Sequence, residues 1–219
     1  MFLMSLSVMA TNKIYVTQAG ASLVFDVLQD GNGNMVGNST TASTVSGSAT
    51  NFNIDQVGDS NIITFDIEGD SFTGTWSTTG NSNNIDFNCD SAGTVSSCAT
   101  VTASIIWVGS SNDLDIDVGE TADATGATIG ITGASGSDSN TIAATIDGTS
   151  VILTLNVNGD TNNYLIDIDG NGDVNGHTLI HNHTGSIADV DIVQSGVNDN
   201  MLNLTTVGNG HDIDIIQRD

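Results

Sequence analysis

From residue 12 onward the chain alternates apolar and polar side chains, and a glycine closes most of the short runs. Ile14, Val16, Gln18 and Gly20 form one unit; Phe25, Val27, Gln29 and Gly31 repeat it eleven residues later. The same spacing returns at Phe52, Ile54, Gln56, Gly58 and at Ile63, Phe65, Ile67, Gly69. It returns again at Leu153, Leu155, Val157, Gly159 and at Tyr164, Ile166, Ile168, Gly170. Later copies begin at Leu179, Val190, Leu202 and Ile213, and weaker ones fill the middle from Gly74 to Gly148. Sixteen units can be placed, thirteen of them ending in Gly. A period of two is that of a half-buried strand, and a fixed short repeat is the mark of a stacked solenoid. The pattern predicts an all-β, single two-sheet β-solenoid of about eight coils, with two 11-residue strand-turn units per coil. One domain covers residues 11–219. Gly at each strand end predicts positive φ or close backbone stacking at the turns. The stretch from Gly31 to Asn51 breaks the spacing and reads as a loop or an irregular extra turn.

Composition fits that frame. The 219 residues include 25 Gly and no Pro, and a Pro would remove a ladder donor from any coil it entered. Acidic residues number 26 against two basic ones, Lys13 and Arg218, giving a net charge of -24. All the acids but Glu68 and Glu120 are Asp, a poor residue for helix interiors. A nucleic-acid partner is excluded for want of a Lys/Arg surface, and no apolar run is long enough for a spanning helix. Residues 1–10 are apolar, with Val8 and Ala10 at spacing that suits signal cleavage, and read as a clipped signal peptide. The alternative is an apolar cap on the first coil.

Polar residues recur at fixed places in the unit. An Asn stands two positions before the first apolar one at Asn12, Asn61, Asn83, Asn112, Asn140, Asn162 and Asn200. Stacked identical amides can bond along a ladder, and the inward Gln18, Gln29, Gln56, Gln194 and Gln217 can do the same. The unit Asn-x-apolar-x-apolar-x-Gln-x-Gly, seen best at Asn12–Gly20, resembles the curlin repeat of curli amyloid subunits. The resemblance spans about residues 12–217, with Gln kept in five units. It implies a two-sheet solenoid and a secreted, extracellular structural or adhesive protein of the biofilm matrix. Such a protein assembles end to end by strand stacking, with itself or with related fibre subunits. The Gln-bearing units would then be polymerising faces and the middle a spacer. The alternative is a non-polymerising solenoid of a phage virion or fibre, or of an adhesin stalk. An ice- or surface-binding solenoid would want a flat outward Thr array, whereas the outward positions, taken along the whole chain, mix Asp, Asn, Thr and Ser.

Candidate chemistry is sparse. Cys89 and Cys98 suit a disulfide in an exported protein. Asp167, Asp169, Asn171 and Asp173 resemble the opening of a Ca²⁺ loop, but the twelfth position is Thr178 and not Glu. A polar turn is the alternative there, and weak, diffuse Ca²⁺ binding along rows such as Asp113, Asp115, Asp117 is the broader expectation. His177, His181 and His183 share one strand parity and read as buried polar groups or metal ligands. No nucleophile elbow or phosphate loop is present, and no enzyme activity or resident cofactor is expected.

Overall fold

The computed structural model describes residues 13–31, 33–37, 43–58, 60–69, 71–80, 82–89, 99–109, 112–119, 126–134, 139–169, 177–196 and 200–218. The described residues form strands only. In chain order these are β1 (Thr17–Ala19), β2 (Val24–Asp30), β3 (Ser43–Ser46), β4 (Thr50–Val57), β5 (Ile63–Glu68), β6 (Ser71–Thr79), β7 (Asn84–Cys89), β8 (Thr100–Val108) and β9 (Asp113–Val118). They continue as β10 (Gly126–Gly133), β11 (Thr141–Asp147), β12 (Val151–Asn158), β13 (Asn162–Asp169), β14 (Thr178–Thr184), β15 (Ala188–Gln194), β16 (Met201–Val207) and β17 (Asp212–Gln217). Odd-numbered strands stack in sequence order into a nine-stranded sheet, even-numbered ones into an eight-stranded sheet. Every pairing is parallel and links strands two apart in sequence. The molecule is therefore the two-sheet β-solenoid that the repeat predicts. At about 4.8 Å per strand, nine strands span roughly 38 Å.

The seventeenth strand is the one the spacing hid. In the Gly31–Asn51 stretch, Val36 and Val45 are fully buried, and Val45 pairs with Ile67 of β5. Asn34 takes the amide position and Gly47 the closing glycine. An insertion between Val36 and Val45 splits this unit, so its residues are out of step with the repeat. The extra strand decides sheet parity: it returns Phe52 to lie over Phe25, and Gln56 over Gln29.

Inward residues fill a single core. At the N-terminal end it is aromatic, with Phe25, Phe52, Phe65, Phe72, Trp76 and Phe87 in a contiguous stack at centroid distances of 4.8–6.3 Å. Toward the C-terminal end its apolar residues are mostly aliphatic, around a buried cluster of Tyr164, His181 and His183. The degenerate middle units are adjustments of size: a Cβ on Gly74 would lie 2.7 Å from the Trp76 ring, and one on Gly133 would lie 2.9 Å from Trp107. Where a Trp enters, its neighbour shrinks, as close packing requires.

Closing glycines stack directly along the solenoid. A Cβ on Gly109 would lie 1.4 Å from the carbonyl oxygen of Gly80, and one on Gly58 would lie 1.8 Å from that of Gly31. Their φ angles are +148° and +145°, a region open to glycine and strained for any other residue. The turn backbones can then hydrogen-bond to one another, as Gly80 N–H does to Val108 C=O at 2.9 Å.

Candidate functional sites: amide ladders, acidic face and open end

The turn asparagines form a buried ladder along the nine-stranded sheet. Asn61 Nδ2 donates to Asn34 Oδ1 at 3.0 Å. Asn83 donates to Asn112, Asn112 to Asn140 at 2.6 Å, and Asn140 to Asn162. Three of the amides also anchor their own turns: Asn83 Nδ2 reaches Gly80 C=O at 3.4 Å, Asn112 Nδ2 reaches Gly109 C=O at 2.9 Å, and Asn162 Nδ2 reaches Gly159 C=O at 2.7 Å. The donor direction reverses between Asn61 and Asn83, whose Oδ1 atoms are buried without a hydrogen-bond partner. Ala188 takes the next position, opposite Asn162, so no side-chain amide extends the row there. Asn34, which the sequence pattern passed over, belongs to this ladder. Asn12 lies outside the described residues. Asn200 is on the other sheet, where it bonds to His177 Nδ1 at 3.2 Å and to the Arg218 carbonyl at 2.9 Å.

The inward glutamines fall into two separate rows. Gln56 Nε2 donates to Gln29 Oε1 at 2.7 Å on the eight-stranded sheet. Gln217 Nε2 donates to Gln194 Oε1 at 2.9 Å on the nine-stranded sheet. Gln18 occupies the first strand of that same nine-stranded row, facing Val45; its side chain lies outside the described residues. The row therefore begins and ends on Gln.

Cys89 is buried and disulfide-bonded, while Cys98 lies outside the described residues. Asp167 and Asp169 are exposed outward residues of β13, and Asn171 and Asp173 lie outside the described residues. No group of three metal-ligating side chains occurs among the described residues.

The histidines sit inward. His183 holds the Gln position and shares a hydrogen bond of 3.0 Å between Nδ1 and Tyr164 Oη. His181 is fully buried between Leu155 and Leu204, 4.5 Å from the Tyr164 ring, and neither of its nitrogens has a hydrogen-bond partner. Burial pulls its pKa down to about 4, and His183 beside it adds to the effect. The pKa of His183 is lowered too, by burial and then by His211.

The two outer faces differ in charge, which the unit-by-unit pattern concealed. On the nine-stranded sheet the outward residues include Asp86, Asp113, Asp115, Asp117, Asp189, Asp191, Asp212 and Asp214; Asp86 pairs with Asp115 across β7–β9, and Asp189 with Asp212 and Asp191 with Asp214 across β15–β17. A groove of about 560 Å³ on this face is lined by Thr64, Asp86, Asp113 and Asp115 among others. Burial raises the pKa of Asp86, with Asp115, Asp66 and Asp113 adding repulsion; Asp115 is raised by burial and by Asp113. On the eight-stranded sheet, acids point outward only from β2 and β4, as Asp26, Asp30 and Asp55.

The C-terminal end of the core is open. Strands β16 and β17 each pair on one side only. Their inward residues Leu202, Leu204 and Ile213 are half-buried, and Ile215 is 40% exposed.

Searches against family models, curated proteins and solved structures find no match for this chain.

Proposed function

We propose that this protein is a secreted structural and adhesive subunit, akin to the curlin repeat proteins, that assembles head to tail through its first and last coils. The observation that carries this reading is the agreement in register between the two ends. Strand β17 presents Ile213, Ile215 and Gln217 inward; the first repeat unit, which ends in β1, has Ile14, Val16 and Gln18 at those unit positions. Strand β16 presents Leu202, Leu204 and Thr206 where β2 has Phe25, Val27 and Gln29. Placing β17 of one copy on β1 of the next continues the nine-stranded sheet in register and leaves one strand level open between β16 and the next copy's β2. It gives the unpaired N–H and C=O groups of β17 and β1 their partners.

Charge supports the same register. The only two basic residues stand at opposite ends of the solenoid. In the continued sheet, Lys13 falls in the outward row of Asp189 and Asp212, next to Asp212. The remaining charge opposes assembly, so growth should quicken with salt as the Debye length shrinks toward 8 Å. Divalent cations between the Asp rows would act in the same sense, as weak counter-ions on oxygen ligands.

The test is electron microscopy with thioflavin fluorescence across a salt series. Fibres that appear sooner at higher salt, and later in Lys13→Glu, support the reading. A protein that stays single at high salt and high concentration overturns it and favours a non-polymerising module of a virion fibre or adhesin stalk.

A further inference from the structure

The outer face of the eight-stranded sheet carries no charged residue at any outward position of its last six strands, β6 to β16. Its first outward row runs Thr73, Thr102, Thr128, Ile152, Thr178 and Met201 in direct pairing. Neighbouring rows add Ser and Asn and the exposed apolar residues Ile106 and Val108. In a chain of net charge -24, so extended an uncharged surface lets another large surface approach without charge repulsion.

We propose that this face is a self-association surface, pairing with the same face of a second copy as an isologous dimer with the two rods antiparallel. Four observations select that occupant. No aromatic residue points outward from β6 to β16, so the face offers no platform on which a flat sugar or base could stack. Both copies present rows at the same spacing of about 4.8 Å, so the two faces are commensurate along their whole length. Thr, Ser, Asn and branched aliphatic residues are what dry, interdigitated sheet pairs are made of. The area is sufficient: six strands by about 26 Å of strand length give roughly 750 Å² per copy, close to the ~800 Å² per partner of a stable interface.

Electrostatics sets the arrangement. Pairing through this face leaves the two acidic sheets outermost, three sheet spacings or about 30 Å apart, well beyond the Debye length of about 8 Å at physiological salt. Asp26, Asp30 and Asp55 mark one end of the face. With parallel rods they would meet their own copies across the interface. A two-fold axis lying in the interface, along the strand direction between β10 and β12, instead carries them past β16 of the partner into solvent.

This pairing thickens the particle, whereas head-to-tail stacking lengthens it, so small-angle X-ray scattering of the full chain over a concentration series separates the two. The expected result is a cross-section two copies thick. Thr128→Glu, at the centre of the face, should weaken pairing by at least about tenfold. Thr141→Glu, an equal charge change on the acidic face, should leave it intact. Circular dichroism checks that both variants keep the β fold, and Thr154→Glu replaces Thr128→Glu if that variant does not. Particles that lengthen but stay one copy thick overturn the pairing and support stacking. Thickening without lengthening supports the pairing and counts against stacking, and single particles at every concentration overturn both. Pairing lost equally in both Glu variants overturns the assignment to this face. Single particles that instead shape growing ice crystals overturn it in favour of ordered water as the occupant.

Discussion

His181 is the least comfortable residue of the core, and replacing it should stabilise the protein. Its imidazole is fully buried and neither nitrogen has a partner, a situation that costs about 1–3 kcal/mol. Its edge contact with Tyr164 returns about 0.5–1.5 kcal/mol. His181→Leu would match Leu155 and Leu204 above and below, for a net gain of about 1 kcal/mol at pH 7.5. The effect should grow in acid. A histidine held near 4 instead of 6.5 stays neutral in the fold while the unfolded chain takes up a proton. Stability is therefore complete above pH 6.5 and falls as the pH drops toward 4, by about 3 kcal/mol in all. His183, also lowered, adds to the loss. The raised carboxyls of Asp86, Asp115 and Asp167 act in the opposite sense, because protonation relieves their desolvation and repulsion. Their contribution starts at their raised pKa values and is complete once the pH is below the ordinary 3.8, so it offsets part of the histidine loss at the acid end. Urea melts of wild type and His181→Leu at pH 7.5, 6, 5 and 4, read as midpoints at constant m, isolate the His181 part as the difference between the curves. A variant less stable than wild type at pH 7.5, with an unchanged pH slope, would refute the reasoning.

Four further outcomes are expected. Gly109→Ala should cost about 3 kcal/mol or more in a urea melt, because its Cβ would overlap the Gly80 carbonyl at a φ of +148°. Gly130→Ala, whose Cβ would lie 4.0 Å from the nearest atom, should be neutral or stabilising by up to about 1 kcal/mol. Gln56→Leu should cost about 1–3 kcal/mol by leaving Gln29 Oε1 without its donor, and a double-mutant cycle with Gln29→Leu should show coupling above about 0.5 kcal/mol. Asn112→Ala, which removes links to Asn83, Asn140 and Gly109, should cost about 2 kcal/mol or more and raise amide hydrogen exchange in β9 and β11 first.

The alternation of apolar residues and the glycine at each strand end were enough to derive the parallel two-sheet solenoid, because burial and strand geometry leave a period-two, eleven-residue repeat few other solutions. Strand β3 escaped because an insertion divides Asn34 and Val36 from Val45 and Gly47, and local spacing cannot see across an insertion. That omission mattered beyond one strand. Which sheet a unit joins depends on how many strands precede it. The rows of Gln29 with Gln56 and of Gln194 with Gln217 therefore became distinct only in three dimensions. The outward residues looked like one mixture of Asp, Thr, Asn and Ser. Sorted by sheet, they separate into an acidic face and a face uncharged over its last six strands. Sequence by itself determined the composition of each strand, hence the fold, the ladders' residue types and the total charge. Only the tertiary structure decided which strands are neighbours, and with them which charges repel, which amides meet and which side of the rod is free to touch another.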